Sequence, residues 1–225
     1  MILTLIVVFS ALFMLTHIML SHGSIRQGLV DKIGKWPFRG LYSLVSFGTL
    51  GPAAVIWWQN RHLGPLLWDL PIWPVRIVAG VVILFGFLLF FQSLATPSPA
   101  SMAPAKNEAR GVLRITRHPM NMFLAFWGLA HLLANGTVAD VAFFGSFVVV
   151  GVLGPYHMDA RLKREKGEAF TEFCDETSVL PFGAILRGKN RLALDELSFP
   201  LAIIGMAVFA ALVFFHGRFF GGELY

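Results

Sequence analysis

Charge is what this chain has least of. Only 14% of its 225 residues are Asp, Glu, Lys or Arg, too few to cover an ordinary soluble domain with polar surface. Cysteine is nearly absent. With Cys174 alone, no disulfide can form within the chain, and no CxxC or CxxCH pattern is present to hold a metal or to attach haem covalently. The lack of a GxGxxG or phosphate-loop run removes support for a soluble nucleotide-binding fold. No serine or cysteine nucleophile stands beside an obvious base, and no pair of buried carboxylates is legible, so hydrolysis is not indicated. There is no internal repeat.

What fills the sequence instead is hydrocarbon: 56% hydrophobic residues, 22 of the 225 being Phe. Uncharged runs predict six membrane spans at about 2–21, 40–59, 72–95, 119–134, 138–155 and 198–216. The fold class expected is all-α, a polytopic membrane helical bundle forming one domain over residues 1–225, with amphipathic segments on its cytoplasmic side. The fourth span is short for a hydrocarbon core of ~30 Å. The first lacks a basic n-region and a small-residue cleavage site, so it is expected to stay as a helix. Fifteen of the 18 basic residues fall in alternate loops. By the positive-inside bias these loops are cytoplasmic, and both termini lie on the periplasmic side of a bacterial inner membrane. The formal charge of +5 is therefore a topology signal. With no basic patch interleaved with aromatics, nucleic acid is not expected as a partner.

Between the spans, Ile25, Leu29 and Ile33 share one face of a short interfacial helix that Gly34 ends. Trp57, Trp58 and the run LLWDLPIWP form an aromatic belt, with Arg61, His62 and Asp69 as plain loop residues. SLATPSPASMAPAKNEARG is an irregular connector. Asn135-Gly136 is expected to supply positive φ angles for a tight reversal that packs spans 4 and 5 as an antiparallel hairpin. Asp140 caps span 5 or faces the interface. Gly145, Gly151 and Gly154 permit close approach of a neighbour. After span 5 comes a charged helix with an Arg161–Glu165 pair and an apolar side at Phe170 and Phe173. Arg187, Lys189 and Arg191 suit anionic headgroups.

The chemistry-bearing stretch is GVLRITRHPMNMFLAFWGLAHLLANG, residues 111–136. Arg114, Arg117 and His118 precede Pro119, which fits the first turn of a helix. His131 then interrupts an apolar run, where an imidazole needs a partner or a job. Two readings stand: a hydrogen bond to a neighbouring helix, or a metal or haem ligand. His17 lies within the first span, while His22 is interfacial. His17 and His131 are the minimum for bis-imidazole haem ligation. Phe123, Phe126 and Trp127 would suit a flat porphyrin, and RITRHP its propionates or another anion. Depth argues against the pair, since His131 lies ~18 Å along its helix from the end that His17 is near.

RITRHP…FWGLAHLLANG resembles the NnrU family of membrane proteins, which takes in plant zeta-carotene isomerase. The likeness continues through Asp159-x-Arg161-Leu162, Gly167-Glu168-x-Phe170, TSVLPFGAI at 177–185 and IGxxxxRGLYSLVS at 33–46. It implies an integral-membrane protein with non-covalent haem b, held by the histidine of LAH, here His131, and by one of the first helix, for which His17 fits better than His22. The fifth-helix histidine of the plant enzyme has no counterpart near Val150. The resemblance implies isomerisation of a polyene or isoprenoid lipid, or a redox-linked part in nitrite or nitric oxide reduction. Partners would be membrane lipid, a small hydrophobic substrate or nitric oxide, and a membrane redox protein. A non-catalytic accessory protein of denitrification is the alternative. RHP before a hairpin and a charged helix also resembles, more distantly, the isoprenylcysteine carboxyl and phospholipid methyltransferases, which hold S-adenosylmethionine. Here Asn121 stands at their tyrosine position, and Asp159 and Arg161 in the region of their glutamates.

Overall fold

The computed structural model describes residues 1–70, 72–101 and 105–221; positions 102–104 of the proline-rich connector lie outside them. The helices are α1 (Ile2–Ser21), α2 (Gly23–Ile33), α3 (Lys35–Gln59), α4 (Ile72–Ala95), α5 (Val112–Ile115), α6 (Pro119–Ala134), α7 (Val138–Lys166), α8 (Glu168–Glu176), α9 (Gly183–Leu186) and α10 (Phe199–Phe220), with a 3-10 turn at Leu194–Glu196. Among the described residues the only extended pairing is an isolated bridge between Leu66 and Thr137.

The chain is an all-α polytopic bundle. Among the described residues five helices, α1, α3, α4, α7 and α10, are long and apolar enough to cross a membrane. The sixth expected span, α6, is an apolar helix of 16 residues, about 24 Å long at 1.5 Å per residue. The long helices pack in a row, α3 on α1, α1 on α7, α7 on α6, α6 on α4 and α4 on α10. Being central, α7 is the most enclosed of the long helices, with half of its apolar window buried. Helices α3, α4 and α10 leave Leu44, Phe47, Ile77 and Phe199 exposed, as hydrocarbon solvent allows.

Several boundaries differ from the pattern read in the sequence. Helix α3 begins at Lys35 instead of 40, and α7 runs on to Lys166 instead of stopping at 155. The charged segment after Pro155 is rich in Ala, Leu, Arg, Lys and Glu, all good helix formers. It therefore continues α7 until Gly167 turns the chain with φ 67. Arg161 and Glu165 do face each other there, at 3.9 Å. Helix α2 forms as expected and ends at Gly34, with φ 87.

The link between α6 and α7 forms for another reason than the one expected. Asn135 has φ −136, and Gly136 is not among the positive-φ glycines. Residue 136 must be glycine because a side chain would run into the Trp68 carbonyl. The 63–68 segment lies across the turn, with Leu67 N–H donating to the Gly136 carbonyl at 2.8 Å and Val138 N–H to the Pro65 carbonyl at 3.1 Å. Below it, α6 and α7 approach closely. A Cβ at Gly128 would lie 2.7 Å from the Phe144 carbonyl oxygen, and one at Gly151 2.7 Å from that of Asn121. Gly145, by contrast, has open space.

Candidate functional site

Polar side chains gather at the two ends of the α6–α7 hairpin, with an aromatic layer between. At the first end the backbone of 115–118 is stitched to the 177–182 loop. Arg117 N–H donates to the Ser178 carbonyl at 2.9 Å and Phe182 N–H to the Ile115 carbonyl at 2.8 Å. The Thr116 hydroxyl donates to the Val179 carbonyl at 2.6 Å. This pins the Arg117 and His118 side chains against α7. Arg117 grips the Asp159 carboxylate through Nε at 2.8 Å and a second nitrogen at 2.7 Å, and also donates to the Thr177 carbonyl at 2.9 Å. His118 Nε2 donates to the other Asp159 oxygen at 2.7 Å. His118 is 2% exposed, so this cluster is sealed. Arg114 is engaged as well, bidentate on Glu196 at 2.8 and 2.9 Å. Gly111 N–H adds a third bond to that carboxylate at 2.7 Å, and together these push the Glu196 pKa down to about 2. The three basic side chains expected to hold an anion are thus already bonded to the chain's own carboxylates.

At the opposite end Asp140, one turn into α7, is fully buried. It accepts from the Thr137 hydroxyl at 2.7 Å, from the Trp57 indole at 2.9 Å and from His62 Nδ1 at 2.9 Å. His62 has φ 60, a left-handed conformation that a side-chain-bearing residue adopts at a cost of ~1–3 kcal/mol. Its side chain is 58% exposed, so Nε2 stays open beside a cavity of about 270 Å³ shared with Trp68, Asp69 and Asn135. In the sequence His62 is a plain loop residue. Its partner lies 78 positions away, and no local signal joins them.

Between the ends lies His131. Its Nδ1 donates to the Trp127 carbonyl at 2.7 Å, one turn back on its own helix. In the neutral ring this leaves the Nε2 lone pair free for a proton or a metal. The ring stacks on Phe144 at 4.6 Å and lies 4.6 Å from the Trp127 ring. Trp127 in turn meets Phe147, and Trp57 stacks on Phe143 at 4.6 Å. His17 lies elsewhere. It packs on Phe13 and Tyr42, each at 4.8 Å, and its Nδ1 is 3.3 Å from the Ser46 hydroxyl.

The residues present do not fit a haem shared by His17 and His131. Helix α7 stands between their two helices, and the interval is occupied by Phe13, Phe147 and Trp127 in successive ring contact. The rings also differ in depth. His131 is level with Phe144, whereas the Phe13–Phe147 and His22–His157 contacts set His17 one to two turns further along α7, about 10 Å. No group of three or more His, Cys, Asp or Glu suited to a metal occurs among the described residues. Cys174 is buried in α8, and burial pushes its thiol up from the ordinary value, which disfavours the thiolate a nucleophile needs.

Comparison with known proteins places this arrangement in a family. A family model described as NnrU protein matches residues 4–223. The chain is similar to the chloroplastic 15-cis-zeta-carotene isomerase of Zea mays, at 28% identity over 181 residues, covering 76% of this chain and 48% of that protein. It is also similar to the protein of the same name from Arabidopsis thaliana, at 31% identity over 174 residues, covering 72% and 46%. The chain thus spans about half the length of the curated relatives it matches. No solved structure matches it.

Proposed function

The chain belongs to the NnrU family, and from that premise we propose that it is a membrane-embedded isomerase acting on a long polyene or isoprenoid lipid. The observation that supports this reading is His131, an imidazole with a free Nε2 set in a seam of aromatic rings inside a membrane bundle. Turning a double bond requires its π bond to be interrupted while the chain rotates. A proton placed on one carbon and then returned does this with no net redox change. Nε2 of His131 is the atom in this seam able to carry that proton. The faces of Trp127, Phe144 and Phe147 would lower the energy of the transient cation. The buried Arg117–His118–Asp159 cluster would hold α6 at a fixed height on α7, and so hold His131 against Phe144.

The test is direct. The purified protein in liposomes is incubated in the dark with 15-cis-zeta-carotene, and the isomers are separated by chromatography with absorbance detection. Conversion above that of protein-free liposomes is expected, and it should fall at least tenfold in His131→Ala while His17→Ala retains most of it. No conversion by the wild-type protein sinks the reading. The visible spectrum of the same samples tests haem independently. A Soret band altered by His131→Ala alone would assign the iron to His131 with a second ligand other than His17.

A further inference from the structure

On the far side of α7 from the Asp159 cluster, positive charge collects without matching negative charge. Asp159 and Arg161 are two residues apart, so a helix directs them to different faces. Asp159 meets α6, and Arg161 turns toward α1, α2 and α3. There it comes within electrostatic range of Arg26, Arg39 and the Tyr42 ring. Arg26 is 7% exposed and reaches Glu165 at 3.1 Å. Arg161 shares that carboxylate only at 3.9 Å, and its Nε is buried with no hydrogen-bond partner. Arg39 lies over the Trp36 ring at 4.8 Å and pairs with no carboxylate among the described residues. Arg164 lies along the start of α2, where a side chain at Gly23 would collide with it. One carboxylate thus serves two guanidiniums, those of Arg26 and Arg161, with Arg39 and Arg164 nearby. Gathering like charges at low solvent access is costly unless an anion joins them.

We propose that Arg26, Arg39 and Arg161 seat the phosphate of an anionic membrane lipid at the corner of α1, α2, α3 and α7. Guanidinium forks suit phosphate oxygens, and a basic pocket between membrane helices is a known way to hold a headgroup. The surface around the pocket favours a lipid over a free ion. Trp36 is exposed above it, and on the stripe of α3 that carries Arg39, Phe47 is 74% exposed two turns further on, so an acyl chain has an apolar track leading from the phosphate. Helix α2, with Ile25 and Ile33 exposed, lies where such a headgroup would be.

The test uses the full chain, delipidated in detergent, and reads its melting temperature as phosphatidylglycerol, phosphatidylcholine or inorganic phosphate is added. Phosphatidylglycerol should raise the midpoint by several degrees and phosphatidylcholine by much less. The double substitution Arg39→Gln, Arg161→Gln should weaken the apparent phosphatidylglycerol affinity at least tenfold, and Lys106→Gln, on the exposed connector, should leave it unchanged. An equal shift with inorganic phosphate at the same concentration would overturn the lipid assignment. An undiminished response in the double variant would overturn the site. If that variant does not fold, native mass spectrometry of the wild-type protein decides: retention of phosphatidylglycerol over phosphatidylcholine supports the proposal, and equal retention overturns it.

Discussion

The two polar ends of the α6–α7 hairpin use the same elements, a histidine and an α7 aspartate, to opposite effect. At one end His118 and Arg117 close on Asp159 and all three are sheltered from solvent. At the other, Asp140 is equally sheltered but its histidine is more than half exposed and held at φ 60. The difference lies in the backbone that carries each histidine. His118 precedes Pro119 at the start of a membrane helix, and the three residues before it are tied to the 177–182 loop. His62 rides a short connection whose bonds to the hairpin turn are made by residues 63–68, beyond it, and leave its ring at the surface. A sealed ion cluster fixes geometry, because breaking it strands charge in a medium that cannot solvate it. A half-open pair costs less to disturb and keeps one nitrogen available for protons or ligands.

Removing the two carboxylates separates these roles. Asp159→Asn leaves Arg117 and the buried His118 without their anion, and we expect a loss of about 3–5 kcal/mol, seen as a sharply lowered melting temperature or failure to yield monodisperse protein. Asp140→Asn keeps an acceptor for Trp57, and His62 can turn to water. The expected loss is about 1–3 kcal/mol. Equal losses in the two variants would break the comparison. Activity offers a second axis: Asp140→Asn should leave a measurable isomerisation rate in folded protein, because it leaves the Trp127–His131 hydrogen bond in place.

How much of this was legible follows how local each interaction is. Helix α6 and its Pro119 start could be read from one run of residues, as could the apolar side of α8 at Phe170 and Phe173. Asp159 was visible as part of a D-x-R-L motif but not as the partner of a histidine 41 positions earlier. The Arg114–Glu196 pair spans 82 positions and the His62–Asp140 pair 78, and a pattern of hydropathy carries no information about either. The composition of Asn135-Gly136 marks a turn. The glycine is in fact required by the Trp68 carbonyl lying against it, a tertiary cause with the same local signature. The depth mismatch between His17 and His131 was foreseeable from span boundaries. That α7 stands between them was not, because helix order in a bundle is set by packing.

The seam between the two ends can be probed through its glycines. Gly151→Ala would place a methyl group 2.7 Å from the Asn121 carbonyl oxygen and 2.9 Å from Ala125. The gain of up to ~1 kcal/mol in helix propensity is outweighed by overpacking of ~1–3 kcal/mol, so a net loss of roughly 1 kcal/mol is expected. Gly145→Ala meets nothing within 4 Å and should stabilise by up to ~1 kcal/mol. Opposite signs in paired melts would show that α6 is pressed onto α7 at Gly151. Matching signs would mean the hairpin yields there, and with it the height at which His131 is held.

The smallest effect concerns Arg114, beside the sealed end but outside it. Glu196 titrates near 2 in the folded chain, below the ordinary glutamate value of about 4.3. A folded-state pKa below the unfolded one contributes stability that is complete above the unfolded value. That contribution is lost as pH falls from there toward 2. The pair is about a fifth exposed, so solvent and salt screen it and the contribution is well under that of Asp159. Arg114→Gln should therefore lower the melting temperature slightly at pH 7 and narrow the gap from wild type as pH drops below about 4. The gap should not close fully by pH 3, because in the wild type Glu196 stays ionised until the pH nears about 2. A gap that stays constant from pH 7 to pH 3 would mean Arg114 acts through packing of its stem instead. The sealed end would then owe nothing to its neighbouring ion pair.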